Sequence, residues 1–284
     1  MTKRRRVAPY LLLFPSAAFL IFFFAIPMLQ SFALGFQDRD GNWSLDTFSR
    51  MLSDPNFLSA LQTTLILLIL VIPIQFVLAM AMALIINKRL KGTSLWLYVF
   101  ALPLAISELA AGLVWLSIFT QRGWLNSVLQ SLGIIDVPIT WLSAENQWLL
   151  IGTILVAEAW RATSIIMIIL VAGLQSIPDE YLEAAEVYGA SLWQRVRRVI
   201  LPMLRPSLQV ALILRVILAI QVFATVVTLA GTALTTMANE AFTWATEILD
   251  DNMAAAYASV ILLLSIVSTI AVLWLLPVKD EQQA

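Results

Sequence analysis

The sequence predicts an all-α, polytopic membrane protein with six transmembrane helices. Of its 284 residues, 61% are hydrophobic and only 12% are charged, and the mean hydropathy is +0.89. A soluble domain of this length would be far less apolar. Apolar runs of the length that a bilayer-crossing helix needs, about 20 residues, recur six times along the chain. We therefore expect an integral membrane protein.

Charged or turn residues separate the six predicted spans. Their approximate bounds, in chain order, are 9–32, 58–86, 95–119, 148–174, 210–230 and 254–276. The segments between them are short, so we interpret residues 1–284 as a single transmembrane domain, with residues 175–205 as its longest loop. None of these segments has the length of a nucleotide-binding or receptor domain.

Lys and Arg lie mainly on one side of the predicted spans. The N-terminus, the second and fourth loops and the C-terminus hold twelve basic residues, and the other loops hold three. The twelve are Lys3, Arg4, Arg5, Arg6, Lys88, Arg89, Lys91, Arg195, Arg197, Arg198, Arg205 and Lys279. The positive-inside rule therefore predicts that both termini and loop 175–205 are cytoplasmic. A signal peptide is the alternative for the N-terminus, but the first apolar run is longer than usual for one, so we expect an uncleaved span.

Composition excludes several classes of function. The formal net charge of −1 gives no excess of Lys and Arg for binding phosphates, so we expect no nucleic-acid partner. The absence of Cys and His removes thiol nucleophiles, imidazole bases and the usual soft-metal ligands, so we expect no metal site. No G-x-x-x-x-G-K-[ST] segment occurs, so we expect no nucleotide cofactor on this chain and no catalytic residues.

Loop 175–205 carries the signals of two short helices. Ser176 as a cap, Pro178, and the acidic residues Asp179 and Glu180 predict the start of the first helix. Gly189 predicts its end in a left-handed conformation, Ser191 predicts the cap of the second helix, and Pro202 predicts an interruption. Three arginines follow Ser191, so we expect the loop to contact anionic membrane lipid.

The spacing of residues within this loop is specific. Glu183, Ala184 and Ala185 are followed by three residues and Gly189, then by nine residues and the segment 199–202, which ends in Leu201 and Pro202. This pattern resembles the EAA loop of the membrane subunits of bacterial ABC importers. The preceding segment, WRATSIIMIILVAGLQSIPDEYLEAA, is similar to carbohydrate permeases of the maltose and glycerol-phosphate type.

The resemblance implies a permease subunit of a carbohydrate importer in a bacterial or archaeal cell membrane. In that family the helix around Glu183 docks into a separate ATPase, which binds ATP and Mg, and an external binding protein delivers the substrate. The family commonly pairs two different permease chains, so a heterodimer is expected. Two positions depart from the family pattern: Tyr188 replaces a usual Asp, and Ala224 replaces an acidic residue after Phe223.

Polar residues inside the predicted spans are candidates for a translocation path, because each is costly in lipid unless it is paired or faces a wet cavity. We expect Glu158 and Arg161 to pair, since they are three residues apart on one helix. Gln75 is a weaker candidate, and Arg215 is expected to reach the cytoplasmic interface. The predicted path residues are Glu108, Trp115, Glu158, Trp160, Arg161 and Gln221.

Other functions stay open from the sequence. An ABC permease could carry glycerol-phosphate, a polyamine or an amino acid instead of a sugar or polyol. A proton-coupled secondary transporter could use Glu108 and Glu158 as relays, and a membrane assembly factor would transport nothing. The spacing of the EAA loop argues against both of these last two classes.

Overall fold

The computed structural model of the chain describes residues 4–88 and 91–277. Within these residues the regular structure is helical, apart from an isolated antiparallel bridge between Gln37 and Trp43. The α-helices are α1 Arg4–Leu20, α2 Ile26–Gly35, α3 Asp46–Leu52, α4 Pro55–Asn87, α5 Thr93–Ala101, α6 Glu108–Phe119, α7 Trp124–Ser131, α8 Gln147–Gln175, α9 Asp179–Val187, α10 Leu192–Arg195, α11 Leu201–Met203, α12 Arg205–Ile220, α13 Ala224–Ala230, α14 Met237–Thr246 and α15 Asp251–Leu275. Among the basic residues used for the orientation, Lys3, Arg89 and Lys279 lie outside the described residues.

Four helical segments are long and apolar enough to cross a membrane. They are Leu12–Gly35, Pro55–Asn87, Ala144–Gln175 and Asp251–Leu275. Two further pairs of helices pass the same test together but are sharply bent, Thr93–Ala105 with Glu108–Ser131 at 99° and Leu192–Met203 with Arg205–Ile220 at 75°. Counting each bent pair as one span gives up to six spans in the described part of the chain, the number that the sequence predicts. The second pair, however, begins inside the predicted loop 175–205 and ends at Ile220, before the end of the predicted span 210–230.

The predicted span 95–119 is broken rather than continuous. α5 gives way to a 3-10 turn over Leu102–Ala105, which contains Pro103, and Ile106 is extended with φ −95° and ψ 129°. α6 then starts afresh, because the Ser107 hydroxyl accepts a hydrogen bond from the Ala110 amide at 3.2 Å. Proline lacks the N–H that a continuing helix needs, and the serine cap offers the chain a new starting point.

The predicted span 210–230 is broken as well. α12 ends at Ile220, the chain leaves the helical conformation at Phe223, and α13 begins at Ala224. α13 packs closely on α6, since a Cβ built on Gly112 would lie 2.9 Å from the Thr228 side chain. A glycine at this point permits the close approach of the two helices. The breaks in both predicted spans are therefore brought near one another.

The chain divides into two compact units, Met1–Leu58 with Glu240–Leu262, and Ser59–Asn239 with Leu263–Ala284. In the second unit α8 is the central helix, and it contributes to two apolar clusters. One contains Leu150, Ile151 and Ile154 from its first half, and the other contains Ile166, Met167 and Leu170 from its second half. Glu158 lies between these two clusters along the helix and is buried. A carboxylate in this position requires partners.

Candidate functional site

Glu158 is the centre of a buried hydrogen-bonded network in the second unit. Its Oε2 accepts a hydrogen bond from Arg215 Nη2 at 2.9 Å, and its Oε1 accepts one from the Thr225 hydroxyl at 2.7 Å. Arg161 Nη2 lies 3.3 Å from both oxygens, which confirms the predicted pairing along α8. The carboxylate thus receives donors from α8, α12 and α13, so one acidic side chain ties three helices together.

Arg215 does not reach the membrane interface, and that prediction is wrong. Its side chain is only 1% exposed, and besides Glu158 it donates from Nε to Gln75 Oε1 at 2.6 Å. Gln75 in turn donates to the backbone carbonyl of Glu158 at 2.8 Å. A guanidinium this deeply buried is held by its ionic and hydrogen-bonded partners, because an unpaired one would be too costly. Both ends of the Gln75 side-chain amide are therefore engaged in hydrogen bonds within the fold.

Glu108 links the two breaks in the predicted spans. It is the first residue of α6, and its Oε1 accepts hydrogen bonds from the backbone amides of Phe223 at 3.1 Å and Thr225 at 3.3 Å. These amides lie at the start of α13, so the carboxylate caps a helix that has no side-chain cap of its own. Its Oε2 lies 4.0 Å from Arg161 Nη2.

The network has a buried end and an accessible end. The side chains of Arg215 and Glu158 are 1% and 4% exposed, while those of Arg161 and Glu108 are 22% and 30% exposed. Two glutamates and two arginines make its formal charge zero. The sequence predicts Glu108, Glu158 and Arg161 as path residues, but it does not single out Thr225, and the predicted location of Arg215 at the interface is wrong. The equal number of acidic and basic residues within the spans was the signal for mutual pairing.

The aromatic candidates form a separate group. The rings of Trp115 and Trp160 meet edge to face with centroids 5.9 Å apart, and Trp115 also stacks on Phe119 at 5.4 Å. The indole N–H of Trp115 is buried and has no hydrogen-bond partner among the residues that the structure describes. Gln221 is exposed at the break after α12. Two of the three uncharged path candidates are thus in contact with each other.

The loop over residues 175–205 forms a helix, a tight turn and a second helix, as predicted. Gly189 has φ +73°, and the Ala190 amide donates to the Ala185 carbonyl at 2.9 Å, which closes α9. Ser191 caps α10 in a reciprocal capping box with Gln194. Arg195 of α10 forms an ion pair with Glu186 of α9. The turn is therefore fixed by local backbone conformation and by a side-chain pair across it.

The two faces of this loop differ. Glu183 and Ala184 are exposed, Ala185 is half-buried, and the side chain of Glu183 contacts no ion-pair or hydrogen-bond partner among the described residues. Val196 and Ile200 are buried in the apolar cluster that contains the second half of α8, and Leu201 packs against the same cluster. One face thus anchors the loop to the helical bundle, and the other presents the E-A-A segment outward.

One local prediction in the loop is wrong, and another is displaced along the chain. Ser176 does not cap α9: its hydroxyl donates to the Gly173 carbonyl at 2.7 Å, so it belongs to the end of α8, and α9 follows Pro178 without a side-chain cap. The interruption predicted at Pro202 is present but lies two residues later, because the helical segment continues to Met203 and bends by 75° at Leu204, just before α12. Proline is compatible with the first turn of α11, which follows a π-helical turn.

The first unit has an ion-pair cluster of its own, where α3 meets the start of α15. Asp250 Oδ2 accepts hydrogen bonds from Arg50 Nη2 at 2.7 Å and from Arg39 Nη2 at 3.3 Å. Partial burial opposes the charge of this carboxyl, but the hydrogen bonds from Arg50, the Met253 amide and Arg39 outweigh it and lower its pKa. This cluster fastens the segment that follows α2 to the start of α15.

Comparison with known proteins agrees with this architecture. The family described as "Binding-protein-dependent transport system inner membrane component" matches residues 75–279, and the chain belongs to this family. The matched segment includes both ends of the Glu158 network and the whole loop over residues 175–205. The chain is thus a multi-pass membrane component of a transport system, and not an enzyme by family.

Several curated relatives carry sugar-transport names. The chain is 30% identical to the trehalose/maltose transport system permease protein MalF of Thermococcus litoralis, over 78% of this chain and 76% of the relative. It is 31% identical to the trehalose transport system permease protein SugA of Mycobacterium tuberculosis, over 80% and 74% of the two chains. The lactose transport system permease protein LacF of Rhizobium radiobacter is 31% identical, over 75% and 73%.

The fold also matches a solved structure. A chain of a bacterial alginate ABC transporter, solved in complex with an alginate pentasaccharide-bound periplasmic protein, superposes with a TM-score of 0.81. The match covers 95% of this chain and 93% of that chain at 20% sequence identity. At this identity the match shows that the two chains share the ABC importer permease fold.

Proposed function

We propose that this chain is a membrane subunit of an ATP-driven ABC importer for a sugar or polyol. The observation that carries the proposal is the outward-facing E-A-A segment, held by the Gly189 turn within a loop whose other face is anchored in the bundle. The sugar-transport names of relatives that match three quarters of the chain support the substrate class. Glycerol-phosphate, polyamines and amino acids are the alternative substrates.

In this proposal the loop transmits movement from a separate ATPase, which binds the ATP and Mg. Glu183, Ala184 and Ala185 contact the ATPase: the alanines allow close approach, and the unpaired glutamate meets a basic group. Gly189 sets the turn, while Leu201 and Pro202 connect the loop to α12. A second permease chain, different from this one, completes the membrane path, and an external binding protein delivers the substrate. Loop 175–205 and both termini lie on the cytoplasmic side.

The proposed path runs along the accessible end of the Glu158 network. Glu108, Arg161 and Gln221 lie at or near the breaks in α5–α6 and α12–α13, and Trp115 and Trp160 offer aromatic faces for sugar rings. Glu158, at the buried end of the network, holds Arg161 in this surface by hydrogen bonds. Broken helices at membrane depth are tolerated where the chain lines a cavity or is buried in protein, which supports this location. Alternating access would then move the helices on either side of these breaks.

Substitution of Gly189 by proline tests the proposed coupling. Proline holds φ near about −65° and cannot adopt the φ of +73° at this position. We expect ATP-dependent uptake of sugar by proteoliposomes containing the complete transporter to fall by about tenfold or more, because proline also removes the Gly189 amide, which donates to the Glu186 carbonyl at 2.9 Å. ATP hydrolysis would continue without uptake.

Gly133→Pro is a matched control. Gly133 also has a positive φ, of +67°, and its amide donates to a carbonyl three residues earlier, as that of Gly189 does. It follows α7 and lies outside the loop. Uptake by this variant should stay within about twofold of wild type, since the coupling turn is intact. Normal uptake by Gly189→Pro would refute the coupling role of the loop.

A further inference from the structure

The accessible end of the Glu158 network is an ion pair in the middle of a membrane protein. Arg161 and Glu108 are 22% and 30% exposed at their side chains, and the two side-chain atoms that approach are 4.0 Å apart. Charged groups inside a membrane domain are costly where they face lipid, because the hydrocarbon does not solvate them. In the proposed function, on which this inference rests, the exposed parts of the pair face the water-filled translocation path.

The position of the Glu108 charge is fixed by the backbone. Its Oε1 is held by the amides of Phe223 and Thr225, while Oε2 is directed to Arg161. The glutamate cannot rotate away from Arg161 without leaving the start of α13 uncapped. A ligand that approaches Arg161 therefore meets the negative charge of Glu108 at the same time.

The remaining charges of the network do not compensate an added anion. Arg215 is buried, and its guanidinium is engaged by Gln75 and Glu158. The Nε of Arg161 is buried, without a hydrogen-bond partner in the described part of the chain, so a ligand in the path cannot reach it. With two glutamates and two arginines, the cluster has no excess positive charge to attract a carboxylate. Its exposed oxygen and nitrogen atoms can instead exchange hydrogen bonds with uncharged hydroxyl groups.

We propose that Glu108 determines specificity by cancelling the accessible charge of Arg161, which restricts the path to uncharged saccharides and excludes acidic ones. An acidic saccharide would place its carboxylate beside Glu108, and like-charge contact is an effective means of rejecting a ligand. The nearby contact of Trp115 with Trp160 supplies an apolar face that suits a neutral sugar ring. Removal of the Glu108 charge should relax the restriction.

Binding of sugars to the purified transporter complex in nanodiscs, without the external binding protein, tests this proposal. The neutral probes are trehalose, maltose and lactose in radiolabelled form. The neutral sugar that binds is compared with its uronic acid, in which one primary hydroxymethyl group is oxidised to a carboxylate. Because the receptor is absent, only the selectivity of the membrane path is measured.

The wild-type complex should bind the uronic acid at least about tenfold more weakly than the neutral sugar. Glu108→Gln should reduce this ratio to about threefold or less, because the amide oxygen still caps α13 but the charge is gone. Glu108→Asp keeps the charge while shortening the cap, so its ratio should remain near that of wild type. Glu180→Gln, in the loop, controls for the change in total charge and should leave the ratio unchanged.

Equal binding of the two ligands by the wild-type complex would overturn the inference, and so would an unchanged ratio in Glu108→Gln. Neither result would contradict the proposed function as an importer subunit, because uptake by Gly189→Pro tests that function separately. If none of the neutral sugars binds, the restriction to neutral saccharides and the carbohydrate assignment fail together. A ratio that collapses equally in Glu108→Asp would show a structural effect of the cap and would also refute the proposal.

Discussion

Two carboxylates in this protein each bind two arginines, but their surroundings differ. Asp250 receives Arg50 and Arg39 in the first unit, and the side chain of Arg39 is 74% exposed. Glu158 receives Arg161 and Arg215 in the second unit, where Arg215 is only 1% exposed. At Asp250, water solvates the surplus positive charge, so no second carboxylate is needed. The surplus positive charge is therefore stabilised by solvent at Asp250 and by protein groups at Glu158.

Within the bundle, every part of the arrangement needs a protein partner. A second glutamate, Glu108, lies beside Arg161 and balances the positive charge that Glu158 alone does not neutralise. The side-chain oxygen of Gln75 accepts a hydrogen bond from the Nε–H of Arg215. The buried cluster thus draws on five helices, whereas the Asp250 cluster draws on short segments around α3 and the start of α15. Charge balance is therefore a structural requirement inside the membrane domain. The same balance also determines the electrostatic potential of the proposed path.

The largest effect should come from breaking the buried cluster at Arg215. Arg215→Met leaves Glu158 and Gln75 buried with a donor missing, which should cost about 3–5 kcal/mol of stability. Arg39→Met is the matched control, because Arg39 also shares its carboxylate with a second arginine but is mostly in water, so little change is expected. Thermal unfolding of the purified complex measures both. Equal unfolding temperatures for Arg215→Met and wild type would contradict the account.

A smaller, pH-dependent effect should mark the Asp250 cluster. Since the folded pKa of Asp250 is lowered below its usual 3.8, its stabilisation is complete above the unfolded pKa and is lost as the pH falls through the folded pKa. The contribution should be about 1 kcal/mol. Hydrogen exchange of α3, corrected for intrinsic pH dependence, should rise below about pH 4 in wild type. Asp250→Asn should show that faster exchange already at neutral pH.

Asp40→Asn serves as the control for this measurement, since Asp40 is exposed and forms no ion pair among the described residues. Its exchange should follow the wild-type curve. If α3 in wild type exchanged at the same corrected rate on both sides of pH 4, the Asp250 cluster would contribute nothing measurable to stability. The comparison of the two clusters would then be contradicted for Asp250.

Local features of the sequence were sufficient to predict the two helices of the loop and the long apolar helices α4 and α8. The end of α9 at Gly189 and the start of α10 at Ser191 depend on residues within one turn, and α4 and α8 follow from uninterrupted apolar runs. Ser176 failed as a cap because the same hydroxyl can serve the end of the preceding helix equally well. Where two local hydrogen bonds compete, sequence alone does not rank them.

The site needed distances that the sequence does not contain. Arg215 bonds to Gln75, 140 residues earlier, and to Glu158, 57 residues earlier. From its own neighbours, a long side chain five residues from the end of α12 could equally extend to an interface. The break after Ile220 was also hidden, because the capping carboxylate for α13 comes from α6. The break before Glu108, in contrast, is indicated locally by Pro103. Only the packing of α6 on α13 reveals that these two breaks share one acidic residue.

The proteins that bind loop 175–205 provide the most direct test of the proposed coupling to an ATPase. The tagged chain is purified in mild detergent from its native cells, and the co-purifying proteins are identified by mass spectrometry. A nucleotide-binding ATPase should accompany the wild-type chain and be lost from Glu183→Arg, but retained by Glu145→Arg, an exposed carboxylate outside the loop. If the wild-type chain is recovered alone across several detergents, or if Glu183→Arg retains the ATPase fully, the proposed coupling through this loop is contradicted.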